Sequence, residues 1–177
     1  MLVTFRESFG VLHGLIFGAL FLLSFSGGLY ALYSLRPEWL TTEGIKEKTS
    51  ALNLWGWAMA AIAWLTVLTG TYIVYPWYRA KPPQGITDLS TFPRSFLLAT
   101  PNIAEWHNFG MEWKEHIAWL APVAATIVAY VIYKYGPKLA NEPKIRKAIT
   151  WFFVIAFVTA AVAGILGAFI TKAAPVH

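Results

Sequence analysis

AITWFFVIAFVTAAVAGILGAFIT, residues 148–171, runs for 24 positions without a charged side chain. An α-helix rises ~1.5 Å per residue, so about 20 residues cross the ~30 Å hydrocarbon core of a bilayer. The segment therefore reads as a membrane span. Three further blocks share its character, at residues 9–35, 51–78 and 116–135. The first follows Arg6 and invites comparison with a secretory leader, but a leader's apolar core is only ~7–15 residues long. It is expected to be a retained span. The sequence thus predicts an all-α fold: an integral membrane four-helix bundle running up-down-up-down. Residues 1–177 form a single transmembrane domain, with one longer extramembrane loop at 79–115 between the second and third spans.

Composition agrees. Apolar residues make up 57% of the 177 and charged residues 13%, and mean hydropathy is +0.53. Soluble domains average about 25% charged residues, so this chain has too few to coat a water-facing surface. It contains no cysteine, which excludes disulfides, iron–sulfur clusters, thiolate metal sites and covalently attached haem.

The formal charge of +5 is informative by position. Four spans put both termini on one side, together with Arg6, Arg79, Lys81, Arg94, Lys114 and Lys172. The opposite side carries Arg36, Lys46, Lys48, Lys134, Lys138, Lys144, Arg146 and Lys147. These eight sit in two short loops, where the positive-inside rule counts most. The expectation is a bacterial-type inner (cytoplasmic) membrane with both termini extracytoplasmic. The cations of 134–147 are explained as a topology signal, and nothing points to nucleic acid.

Landmarks punctuate the spans. Arg36-Pro37 closes the first, since proline disfavours helix in the residue before it. TYIVYPWY (71–78) ends the second in an aromatic girdle typical of headgroup depth. Pro101-Asn102 can start a short helix leading into the third span, with Gly110 as a break, and Pro122 is expected to kink that span. Gly10, Gly14 and Gly18 recur every fourth residue, as do Ala160, Gly164 and Ala168. Such small-residue faces let membrane helices approach closely.

Two of the four histidines lie at span depth. His13, in SFGVLHGLIFG (8–18), sits about one turn inside the apolar boundary. Ionisable residues there are costly and mark function or a buried partner. An imidazole in this setting can be a haem ligand, a quinone hydrogen-bond donor, a proton relay or an interhelical hydrogen-bonding group. Gly10 and Gly14 clear side chains from beside the ring, as a flat macrocycle requires. His116 opens the third span, which runs parallel to the first. Two axial ligands on two helices at similar depth suit a non-covalent b-type haem, so His13 and His116 are the expected metal ligands. Their depth mismatch of roughly 6 Å is within reach of helix tilt.

His107 shares the stretch EWHNFGMEWKEHIAW (105–119) with His116. Nine residues apart on a continuous α-helix, the two face opposite ways and cannot bind one iron. His107 is then a belt residue among tryptophans, a ligand to a second cofactor (with His177 as a distant partner), or a lining group near a quinone or haem edge. Glu112 lies four residues before His116 and can orient its non-ligating nitrogen. Glu115 reads as part of a solvated headgroup-level cluster. Arg6 and Arg79, with Lys81, Arg94 and Lys114, are candidate partners for haem propionates.

No phosphate-binding glycine loop, H-E-x-x-H or G-x-S-x-G motif occurs, and the spans lack the carboxylates of an independent proton pump. In span count and histidine placement the chain resembles the small four-helix b-type membrane cytochromes that anchor respiratory and photosynthetic electron-transfer complexes. The residues carrying this are His13 in G-x-x-H-G and His116. The resemblance implies one haem b, contact with membrane lipid and with other subunits of such a complex, and electron exchange with a quinone pool or a cytochrome c. It implies electron relay rather than bond chemistry. The rival expectations are a cofactor-free structural or assembly subunit, and a quinone-binding anchor using His107, Glu112 and His116.

Overall fold

The computed structural model describes residues 4–174, which contain helices and turns and no strand. Four helical stretches are long and apolar enough to cross a membrane, as in a multi-pass membrane protein: α1 (Phe5–Ser34), α2 (Thr42–Tyr78), α4 (Pro101–Asn141) and α5 (Pro143–Ala173). A short helix, α3 (Pro93–Ala99), precedes α4. His177 lies outside the described residues.

Each stretch begins before its apolar block, because helix geometry continues into polar sequence wherever the first turn is capped. Thr4 forms a capping box with Glu7 at the start of α1. Thr41 Oγ1 accepts from the Gly44 N–H at 3.1 Å, so α2 starts at Thr42 rather than Ala51. Pro143 occupies the first turn of α5, where its missing N–H costs nothing. The largest difference is at α4. Its helical path begins at Pro101 rather than His116, so the expected loop at 79–115 is helical from 101 onward and holds α3 besides.

Three π-helical turns interrupt the α-helices, at Leu12–Ile16, Gly70–Val74 and Trp106–Met111. Each contains one glycine, the weakest ordinary helix former. Pro76, just beyond the second, removes a main-chain donor from the ladder there. Gly110, expected to break the helix, instead sits inside the third. Four and three residues upstream of Pro122, at Ala118–Trp119, the α-helix gives way to a turn.

The chain divides into two compact units. One comprises Ala19–Trp64 and Leu120–Ala160. Its core holds Leu35, Leu52, Met59, Val128, Ile132 and Phe153, all fully buried. Phe25 stacks on Phe157 with centroids 4.5 Å apart, and Trp64 Nε1 donates to Thr126 Oγ1 at 3.0 Å. Close approach is set by Gly27, where a Cβ would lie 2.7 Å from the Trp55 ring, and by Gly28, where it would lie 2.9 Å from Phe153.

The other unit comprises α1 as far as Gly18, Leu65–Trp119, and α5 from Ala161. Its smaller core gathers Tyr78, Leu97, Met111, Ile170 and Ala174. Trp106 stacks on Phe169 at 5.2 Å, and Trp77 receives Phe5 and Phe9 edge-on. All three π turns fall in this unit.

Many large apolar side chains point outward, among them Leu15, Leu23, Leu54 and Ile165. The glycine row of α1 belongs to this outward surface. A Cβ at Gly10, Gly14 or Gly18 meets nothing within 4 Å, and the same holds for Gly164. These glycines are therefore not helix contacts, contrary to the expectation from their spacing.

Candidate functional site

The π turn Leu12–Ile16 carries His13 toward α2, where Nδ1 lies 3.1 Å from Thr69 Oγ1. The Thr69 hydroxyl hydrogen is already directed to the Leu65 carbonyl at 2.6 Å. Oγ1 is thus left to accept, and the His13 Nδ1–H donates. The tautomer is fixed with Nε2 bare. Room for the ring comes from the next residue along α2. A Cβ at Gly70 would lie 2.9 Å from His13 Cε1 and 3.3 Å from Nε2, so only glycine admits the imidazole here. The glycine that makes space for His13 is Gly70. Gly10 and Gly14 contribute open space beside it instead.

His116 reaches the same tautomer by a shorter route. Its Nδ1 is 2.6 Å from the main-chain oxygen of Glu112. A carbonyl only accepts, so Nδ1 carries the proton and Nε2 is again bare. Glu112 is the orienting residue, as its i−4 position suggested, but through its carbonyl rather than its carboxylate. The Glu112 side chain is exposed. His116 is exposed too, while His13 is half-buried. Among the described residues no hydrogen bond or ring contact joins the two histidines.

His107 shares that tautomer but differs in its burial and in the fate of its Nε2. It is buried, within the π turn Trp106–Met111. Arg94 Nε donates to its Nε2 at 3.1 Å, and an arginine can only donate. The neutral ring therefore bears its hydrogen on Nδ1, which donates to Tyr78 Oη at 2.9 Å. An imidazolium would turn an N–H against the guanidinium, so this ring stays neutral. Both nitrogens are occupied, leaving no lone pair for a metal. Through these two bonds His107 ties α2, α3 and α4 together. The half-turn offset from His116 held only for an α-helix, and the π turn between them changes the phase.

The cations expected to meet propionates divide by contact. Arg94 is committed to His107. Arg6 lies over the Trp77 ring at 5.8 Å, and Arg79 donates to Tyr75 Oη at 3.0 Å. Lys114 runs across Gly167 of α5, its Cε 3.1 Å from where a Cβ there would be. Glu115, expected in a solvated cluster, instead has Oε1 buried without a hydrogen-bond partner.

The groups that sequence reasoning missed are Thr69, Gly70, Tyr78 and Arg94 in their roles toward the histidines. The one available signal was Thr69-Gly70, a polar and a small residue adjacent within an apolar span and followed by Pro76. Neither says which histidine it meets.

The arrangement offers two imidazoles with bare Nε2 atoms, His13 half-buried and His116 exposed, suited to soft or borderline metal ligation, and one buried imidazole with both nitrogens hydrogen-bonded within the protein. Groups of three or more metal-ligating side chains are absent among the described residues, so a protein-only metal cage is not built here. No known protein family, characterised protein or solved structure matches this chain.

Proposed function

We propose that the chain is a haem b-binding membrane subunit that relays electrons within a respiratory or photosynthetic electron-transfer complex, with His13 and His116 as axial ligands. One observation carries this reading. Both histidines donate Nδ1–H to a fixed protein oxygen and leave Nε2 bare, the state that a ligating histidine takes. The open space beside Gly10 and Gly14 and the exposure of His116 leave room for a planar group between them. Lys114, Arg6 and Arg79 are the cations available to its carboxylates. Bound haem supplies a one-electron couple. The chain's own residues orient the imidazoles, surround His13 with apolar side chains and exclude His107 from ligation through Arg94.

The proposed setting is an inner (cytoplasmic) membrane, with helices alternating in direction and both termini extracytoplasmic. Lipid covers the outward-facing Leu and Ile side chains. Partners are other subunits of the complex, with a quinone pool or a cytochrome c as the exchanging species.

A reduced-minus-oxidised visible spectrum of the full chain, expressed with ample haem, tests the reading. A sharp b-type α-band is expected, lost in His13→Ala and in His116→Ala and retained in His107→Gln. Absence of the band from the parent chain overturns the reading. A second reading, a cofactor-free structural subunit, is favoured by the His13–Thr69 hydrogen bond, which ties α1 to α2 without any cofactor, and that spectrum decides between them.

A further inference from the structure

In the unit formed by Ala19–Trp64 and Leu120–Ala160, a groove of about 650 Å³ opens between α1 and the start of α5. Its floor is apolar, formed by Phe25, Leu29 and Leu32, with the Tyr30 and Tyr33 rings alongside. Its lining also includes three cations, Arg36, Arg146 and Lys147, and no carboxylate. A fourth, Lys48, lies over the Tyr30 ring at 5.2 Å. Two of these charges, Arg36 and Arg146, are held rather than trailing in solvent. The Arg36 guanidinium lies over the paired Tyr33 and Trp39 rings, 4.8 and 4.6 Å from their centroids. Arg146 donates to the carbonyls of Leu139 and Ala140.

We infer that this groove binds an anionic phospholipid, its phosphate toward Arg36, Arg146 and Lys147 and one acyl chain along Phe25, Leu29 and Leu32. Charge complementarity selects the headgroup, since three cations and no carboxylate line the groove, a setting that attracts an anion. The apolar floor selects a lipid over a free ion, because a phosphate ion has no use for it. The pre-stacked Arg36 loses little freedom on binding. This site is independent of the haem reading and lies in the other unit.

The test uses the full chain in neutral detergent, with dioleoyl phosphatidylglycerol and dioleoyl phosphatidylcholine as probes, and native mass spectrometry as the readout of bound lipid. Phosphatidylglycerol is expected to be retained at least tenfold better. Arg36→Gln with Lys147→Gln should reduce its binding by about thirtyfold, roughly fivefold per cation removed, with phosphatidylcholine unchanged. Leu29→Trp, which fills the groove and keeps every cation, should weaken both lipids. This second variant decides the matter should the charge variant fail to fold. Equal retention of the two lipids overturns the inference, as does a preference that survives both variants. Full displacement of phosphatidylglycerol by millimolar inorganic phosphate also overturns it, by showing that the site takes a free anion.

Discussion

Gly70 stands 2.9 Å, measured from the Cβ it lacks, from Cε1 of His13, and the residue before it, Thr69, accepts that imidazole's Nδ1–H. A candidate ligand on α1 is thus seated by two adjacent residues of α2, one giving space and one giving direction. Space and direction fail differently when altered.

Gly70→Ala should expel the ring. The new methyl meets imidazole rather than a flexible chain end, and overpacking of this kind costs ~1–3 kcal/mol. An SDS-unfolding midpoint in mixed micelles reports the loss, and the b-type α-band should fall with it. Gly18→Ala is the control: its Cβ enters open space and should not lower the midpoint.

Thr69→Val keeps the shape and removes the acceptor. His13 Nδ1–H is then unpaired, and metal affinity should drop about 10–100-fold, as when an outer-shell partner is lost. Thr69→Ser should restore it. Equal haem retention in Thr69→Val would show that the hydrogen bond does not orient the ring.

Arg94→Met leaves the buried His107 Nε2 without a donor and should cost ~1–3 kcal/mol, against about 1 kcal/mol for Tyr78→Phe. Because the pair acts through one ring, the double variant should fall short of additivity by ~0.5–3 kcal/mol. Unfolding midpoints of the four proteins close the cycle. The α-band should persist in all of them.

Gly28→Ala, in the other unit, and Gly164→Ala, in the unit that holds His13, make a matched pair. The first places a methyl 2.9 Å from Phe153, a fully buried ring of the core, and should cost ~1–3 kcal/mol. The second meets nothing within 4 Å and should stay within about 0.5 kcal/mol. A comparable loss in both would mean that the exposed α5 face is packed against another molecule.

The spans were legible because hydropathy records how much chain lies in hydrocarbon, but their ends were not. Capping by Thr41 and Pro143 extends α2 and α5 into polar sequence that hydropathy treats as loop, and Pro101 does the same for α4. His13 could be singled out from depth alone. Its partners could not, since Thr69 lies 56 residues away and a lone Thr-Gly pair has many uses. Spacing found Glu112 as the residue that orients His116 but could not choose between its carboxylate and its carbonyl. The Gly10, Gly14 and Gly18 row was misread because a fourth-residue repeat is the same whether the face meets a helix, a ligand or lipid. His107 was undervalued because Arg94, which fills its second nitrogen, sits in a segment without periodic signal.

The π turn that carries His13 holds one residue more than the α turn it replaces. Deleting a single apolar residue from Leu12–Ile16 would return that stretch to regular winding, keeping the flanking helix in register but re-aiming the side chains inside the turn. His13 would then leave Thr69 and Gly70 although composition and hydropathy had scarcely changed. In this protein the aim of the imidazole is set by how many residues are counted along the helix, so a deletion there does what few substitutions can.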